Sequence, residues 1–455
     1  MSEEGIVPHE LDAFSGDGKT RAVGEKPQVA PGHEAEHPFA VQYQGPWETQ
    51  SDGTCMAVRK HARALSRAGI PVLLQSFGKF LINEQGFPEP AILSRLDDDV
   101  REKYGPLTMT EAAVLTPRIK HMVVRGAQAL RQAIVPRYLN ETVEADPMKL
   151  LERRAGVYQS TIAYTVWERD RIQPSIATQL KRCAECWVPC EQNAEMLRSC
   201  GVENVCVVPH PYDPDDPICK AVGRRPMQTR RFYTIGRWVP RKEQNLLIGA
   251  FLRAFKPSDD VKLTIKHNGN KWEGYLAPRE SVGQWLEDAA VRSNGWSWET
   301  LPGKLELIEG RVPQDQILKL HFMNNIYVAA SHGEAFCLPA FDAKCAGNAL
   351  VHVAYGGTDA FHDEHRDVKV PYYMGPVDKS YKWEDDAQWA SFDLEALTQA
   401  LREAKAPEAY TLTPQFRQRF HESSVGALMA ERIVSLASPA VVEYFKSQMN
   451  RMRGS

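Results

Sequence analysis

The sequence predicts an α/β protein made of two units, each a parallel sheet covered by helices. Three observations carry this. Strand-like runs rich in β-branched and aromatic residues alternate with helical patterns, which is how a parallel sheet reads. The alternation runs twice, over 39–225 and again over 226–435. Between the two lies Pro209-His-Pro-Tyr-Asp-Pro-Asp-Asp-Pro217. Prolines fix φ and remove backbone donors, so this segment belongs to neither sheet nor helix and reads as a connector.

The elements follow in order. Phe39 to Gln44 is a strand by its β-branched and aromatic content, and the loop 45–53 follows. Cys55 to Ala68 sets Met56, Val58, Ala62 and Leu65 on one side of a helix that Gly69 ends, and Pro71 to Gln75 is the next strand. Val157 to Tyr164 is a strand, Ile176 to Ala184 a helix and Trp187-Val188 a strand. Gln192 to Ser199 is a helix closed by Gly201, and Val205 to Val208 a strand. Beyond the connector come strand Arg231 to Ile235, helix Glu243 to Phe255, strand Val261 to Ile265 and a helix over 314–322. Strand Ile326 to Ala330, a helix over 339–346 and strand Ala349 to Tyr355 complete the second unit. A last helical pattern, Val425 to Met449, is expected to pack back on the first unit, with 436–455 as its C-terminal part.

Composition bounds the rest. The chain has 455 residues, with 55 Lys+Arg against 58 Asp+Glu and a net charge of -3. That balance excludes a globally basic nucleic-acid coat and an acidic disordered chain. Residues 1–38 hold 3 basic and 8 acidic residues without hydrophobic periodicity and read as a mobile acidic arm. No apolar run reaches the roughly 18 residues of a membrane span, and the start is acidic rather than signal-like, so a soluble cytoplasmic protein is expected. Between Glu111 and Glu141 there is no acid, only Arg118, Lys120, Arg125, Arg131 and Arg137. This window reads as a solvated helix face or as a surface for an anionic acceptor, nucleic acid included. Cys183-x-x-Cys186 is half a zinc motif, but no second pair follows, so buried thiols and no metal site are expected.

Open parallel sheets bind ligands at the carboxyl ends of their strands, so the loops there hold the candidate residues. Gly236-Arg237-Trp-Val-Pro-Arg241-Lys242 joins a strand to a helix, and its cations beside a helix start suit a diphosphate. Glu334 lies in the loop after strand 326–330, and Asp342 about one turn into the next helix. Two ionised carboxylates accept from the hydroxyls of a polyol, and the amides of Phe336, Cys337 and Leu338 open the helix toward an anion. Gly356-Gly357-Thr358 follows a third strand and reads as a close backbone approach to a ligand or a plain tight turn.

In this order the segments resemble the motifs of GT-B glycosyltransferases, most closely the retaining enzymes of glycosyltransferase family four. That family carries Gly-Arg…Arg-Lys early in its second domain, then Glu-Gly-Phe-Gly-Leu-Pro-x-x-Glu-Ala-x-x-x-Gly, then a Gly-Gly turn. Here these stand as Gly236-Arg237…Arg241-Lys242, as Glu334-Ala-Phe-Cys-Leu-Pro-Ala-Phe-Asp342-Ala-Lys-Cys-Ala-Gly347, and as Gly356-Gly357. The resemblance spans roughly 39–435. It implies two Rossmann-like domains facing each other across a cleft and a sugar moved, with retention, from a nucleotide diphosphate sugar, UDP-sugar favoured, to a hydroxyl acceptor. No cofactor and no metal are implied.

The resemblance also assigns roles. Arg237 and Lys242 would hold the diphosphate and Glu334 the transferred sugar. Asp342 would accept from the ribose and Val312 would wall the base pocket. Gly53, Gly236, Arg241, Phe336, Cys337, Leu338, Gly356, Gly357 and Thr358 would complete the donor site, with Trp47, Glu48, Trp167 and Glu168 on the acceptor side. The acceptor would be a glycan, a small molecule or a hydroxylated base in DNA. Three positions depart from the pattern: Asp342 is one methylene shorter than the second Glu, and Ala335 and Cys337 replace glycines. Since fold does not fix function, a nucleotide-sugar epimerase or hydrolase on the same architecture stays open, and the departures leave open an inactive binding protein.

Overall fold

A computed structural model describes residues 41–44, 53–70, 72–75, 90–91, 118–122, 161–269, 272, 274–378 and 386–437, with a few positions beyond. The expected arm over 1–38, most of the acid-free window, Trp47 and Glu48 lie outside the described residues.

The first domain runs β1 (Val41–Gln44), α1 (Gly53–Arg67), β2 (Val72–Gln75), β3 (Pro90–Ala91), β4 (Arg118–Met122) and β5 (Thr161–Thr165). It continues through α2 (Pro174–Leu180), β6 (Glu185–Val188), α3 (Glu191–Ser199) and β7 (Val205–Val207). Its sheet has the order β3-β2-β1-β4-β5-β6-β7, parallel except where β3 meets β2. The described part of the acid-free window is therefore not a helix face. Arg118 and Lys120 sit in β4, an interior strand flanked by β1 and β5.

The second domain comprises β8 (Arg230–Ile235), α4 (Gln244–Ala254), β9 (Val261–His267), α5 (Pro278–Leu286), α6 (Ala289–Ser293) and β10 (Leu305–Glu309). Next come α7 (Gln314–Met323), β11 (Ile326–Ala329), α8 (Leu338–Cys345), β12 (Ala349–Val353) and β13 (Val368–Val370). An antiparallel hairpin of β14 (Tyr373–Pro376) and β15 (Gln388–Ser391) precedes α9 (Leu394–Glu403) and α10 (Pro414–Phe420). The main sheet has the order β10-β9-β8-β11-β12-β13, all parallel. Every residue of β11 and β12 is buried, as near-continuous apolar runs covered on both faces must be. The strand order reverses between β8 and β11, and in such sheets the crevice beyond that pair of strands is where ligands sit.

The chain crosses between domains twice, side by side. Tyr212 of the connector donates to the Phe420 carbonyl at 2.8 Å and accepts from the Glu422 amide at 2.9 Å. α11 (Glu422–Leu436) then returns to the first domain, where Val425, Met429, Ala430 and Ile433 enter the core around Val58, Ala62 and Leu65. The last helix thus packs back on the first unit as expected from sequence, and the second domain ends before residue 422 rather than at 435. Gly426 is required there, because a Cβ would overlap the Ala64 carbonyl. Truncating a fully buried side chain such as Met429 to alanine costs about 2–5 kcal/mol.

Candidate active site

The loops after β8 and β11 meet at the switch point. Past β8, Pro240 opens a 3-10 turn, Pro240–Lys242, and Glu243 in the left-handed region (φ 41°) heads α4. The turn aims Arg241 and Lys242 at the loop after β11. Arg241 Nη1 lies 3.3 Å from Glu334 Oε1, and the Lys242 ammonium binds the same oxygen. Arg241 also donates to the Gly333 carbonyl. Burial would raise the Glu334 carboxyl, but Lys242 and Arg241 outweigh it and hold it below its ordinary value. The site therefore carries an ionised carboxylate bound by two cations.

The first domain closes on the same loop. Glu168 Oε1 accepts from Arg241 Nη2 at 2.9 Å, and Cys190 Sγ donates to the Ala335 carbonyl at 3.3 Å. Gly333 lies directly under the Glu168 carbonyl, where a Cβ would overlap the oxygen. From behind, His332 joins the loop to two further elements. Its Nδ1 is 2.6 Å from the Ala390 carbonyl, its Nε2 is 3.1 Å from Glu243 Oε1, and its ring stacks on Trp389 at 4.4 Å.

At the start of α8, Cys337 takes φ 62°, a left-handed conformation that glycine adopts far more readily. Cys337 stands where the resembled motif has glycine, and it holds a conformation that glycine would hold without strain. The amides of Phe336, Cys337 and Leu338 have no acceptor among the described residues, as an anion-facing helix start requires.

Other expected residues have different surroundings. Arg237 is exposed, and its carbonyl accepts from Gln244 Nε2 at 2.7 Å, close to the spot a Cβ on Gly236 would take. The Gly357 amide donates to the Glu334 carbonyl at 2.6 Å, so it is committed to the loop rather than open to a phosphate. Gly356 and Gly357 allow this turn to lie against the backbone of residues 334–336, which is the close approach the glycines serve. Thr358 is buried, with its hydroxyl 3.5 Å from the Tyr355 carbonyl. Trp167 is a core residue whose Nε1 donates to Thr165 Oγ1, so only Glu168 of that pair faces the cluster. Val312 lies half-buried between β10 and α7, and Gly53 opens α1. Asp342 accepts from Lys60 of α1 at 3.1 Å across the domain boundary.

Lys60, His332, Glu243 and Gly333 were not singled out by sequence. Only Lys60 left a signal there: with Arg63 and Arg67 it forms a cationic stripe at helical spacing. In the structure Arg63 Nη2 lies 2.7 Å from Asp213, and Arg67 binds Glu422. Cys183, Cys186 and Cys190 are buried thiols, and no cluster of potential metal ligands occurs among the described residues. Among those residues no helix is long and apolar enough to cross a membrane.

Comparison with known proteins bears on the fold. No family model matches the chain, and no curated protein matches its sequence. Solved structures do match in shape. Sucrose-phosphate synthase from Thermosynechococcus elongatus is 14% identical, with a TM-score of 0.53 over 87% of this chain and 99% of its own. A glycosyltransferase from Rickettsia africae is 12% identical, with a TM-score of 0.52 over 88% and 99%. HepE from Anabaena, solved with UDP and glucose, is 12% identical, with a TM-score of 0.51 over 87% and 100%. The fold is GT-B. In this GT-B chain the Arg241–Lys242–Glu334 cluster lies at the interdomain cleft, with Glu168 facing it from the opposite domain.

Proposed function

We propose that the protein is a glycosyltransferase that moves a sugar from a UDP-sugar to a hydroxyl acceptor. One observation carries the reading. Two cations and a buried ionised carboxylate meet a helix start with open amides at the switch point of the second sheet. The UDP and glucose held by HepE, which shares the fold, support the choice of donor.

The reaction breaks the bond between the anomeric carbon and a phosphate oxygen, and negative charge grows on the departing diphosphate. The amides of residues 336–338, the N-terminal end of α8 and the Arg241 and Lys242 cations are arranged to receive that charge. Glu334, held in place by the same cations, accepts from hydroxyls of the sugar. Glu168 stands across the cleft as the first domain's carboxylate beside the reacting centre. Retention of configuration and independence of metal belong to the same reading.

The test is product analysis by mass spectrometry with a panel of nucleotide sugars and hydroxyl acceptors. UDP should raise the melting temperature more than GDP or ADP, since only a ligand of the native state stabilises it. Anomeric proton signals report the stereochemistry, and turnover in a chelator reports the metal. Unchanged turnover in the Arg241→Ala, Lys242→Ala double variant would sink the proposal.

A further inference from the structure

A cavity of about 140 Å³ opens between the 3-10 turn Gly356–Phe361, the end of α8 and α10. No residue assigned above to the donor or the acceptor side lines it. The donor loop is nevertheless its neighbour: Phe361 and Phe420 of its wall lie 5.2 and 6.2 Å, centre to centre, from the Phe336 ring.

Three cations line this cavity, Lys344, Arg366 and Arg419, against one carboxylate, Asp363. Asp363 Oδ2 accepts from Arg366 Nε at 2.8 Å and lies 4.0 Å from Lys344 Nζ. Lys344 is 3% exposed and lies 2.9 Å from Asp367. Burial outweighs that carboxylate and still holds the ammonium below its ordinary value. Arg419 donates to the Ala360 carbonyl at 3.0 Å, and no carboxylate pairs with it among the described residues. Burial also lowers His362, the remaining titratable group on the wall, so it adds no charge at neutral pH.

We propose that this cavity binds the phosphate group of a small ligand, with Arg419, Arg366 and Lys344 as its donors. The inference goes beyond the transferase reading and does not rest on it. The charge left over inside the space is positive, which repels a cation. A neutral ligand would leave Lys344 short of negative charge and Arg419 without a carboxylate. An anion supplies both. Two guanidinium forks and an ammonium converging on one space match the several oxygens of a phosphate. The volume is close to that of a cavity that holds benzene, so a phosphate with a few carbon atoms fits and a nucleotide does not. Phe361 and Phe416 give those carbons an apolar wall. Free phosphate and a short phosphate ester share this chemistry.

The experiment is calorimetric titration of the full-length chain with inorganic phosphate and with glycerol 3-phosphate. UDP is present at saturation, so that the cations of the cleft are occupied. At least one probe is expected to bind, and the tighter of the two identifies the source of the phosphate. Arg419→Ala should weaken that binding about tenfold or more while UDP affinity stays within about twofold. Arg419 is exposed, so its variants are expected to fold, and Arg419→Glu, which adds a second carboxylate, should abolish the binding. The Arg241→Ala, Lys242→Ala double variant, titrated without UDP, should keep it. A wild type that binds neither probe overturns the inference, and so does wild-type affinity in both Arg419 variants. Loss of phosphate binding in the double variant overturns it by placing the anion in the cleft. A wild type that binds phosphate but not UDP, with the double variant unchanged, upholds this inference and overturns the donor reading alone.

Discussion

Gly333 of the second domain packs against the carbonyl of Glu168 in the first, with no room between them for a methyl group. The contact fixes how closely the domains approach at the cluster, because Glu168 also pairs with Arg241, which in turn donates to the Gly333 carbonyl. Gly333→Ala should therefore hold the cleft apart. UDP affinity is expected to fall at least tenfold, while the unfolding free energy changes by no more than about 2 kcal/mol because the overlap is relieved by opening. Small-angle scattering should show a larger radius of gyration for the variant. An unchanged radius with unchanged affinity would refute the tight approach.

Cys337 offers a test of backbone strain. At φ 62° an alanine keeps the left-handed penalty and a glycine does not. At ordinary positions glycine is the less stable of the two by about 0.5–1 kcal/mol. The two effects oppose each other, so Cys337→Gly should be at least as stable as Cys337→Ala, by up to about 1.5 kcal/mol, in denaturant unfolding. The opposite order would show that the loop does not hold that conformation.

Glu334 links the site to pH. Its folded-state carboxyl lies below the ordinary value of 4.5, so its stabilisation is complete above that pH and is lost as pH falls through the lower folded value. The stability gap between the wild type and Glu334→Gln should accordingly be widest near neutrality and shrink in acid. At neutral pH the variant removes the carboxylate that Lys242 and Arg241 share, leaving Arg241 to Glu168 alone, and turnover should drop by a factor of about 100 or more. A gap that is constant from pH 7 to pH 3 would mean the carboxyl is not tied to those cations.

Three buried histidines add to the acid sensitivity of the fold. Burial lowers His61 and His321 to about 3 and His352 to about 4, from an ordinary 6.5. The unfolded chain takes up protons first, so stability is full above about pH 6.5 and falls as pH drops toward these folded values. Each contributes up to about 1.4 kcal/mol per pH unit in that window. His352→Gln should flatten the pH dependence of urea unfolding between pH 6 and pH 5 by about that amount. A slope equal to the wild type's would place a proton on His352 in the native state.

Much of the fold was legible because a buried parallel strand is written as a continuous apolar run. Ile326–Ala329 and Ala349–Val353 stand out for that reason, and so do the loops that follow them. β4 was harder to see: Arg118, Lys120 and His121 give a central strand the look of a polar face. The site was legible where its chemistry is local in sequence, as in Arg241-Lys242 and Glu334. It was not legible where a residue acts through a distant partner. Asp342 reads as a free acceptor until the fold brings Lys60 to it, and Gly357 reads as an open amide until the Glu334 carbonyl is seen to occupy it. His332 gave no signal, because its partners Glu243 and Ala390 come from two other segments.

The paired crossings at Tyr212 and at Phe420–Glu422 give the cleft a mechanical character. Two adjacent segments bonded to each other permit rotation about one line and resist translation. α1 runs from that line, where Arg63 and Arg67 hold Asp213 and Glu422, toward the cleft at Gly53. At 15 residues it is a lever arm of about 22 Å. A swing of about 10° at the crossings therefore displaces the far end by about 4 Å, more than the width of a hydrogen bond. A rotation of a few degrees at the crossings would be enough to part the two halves of the site.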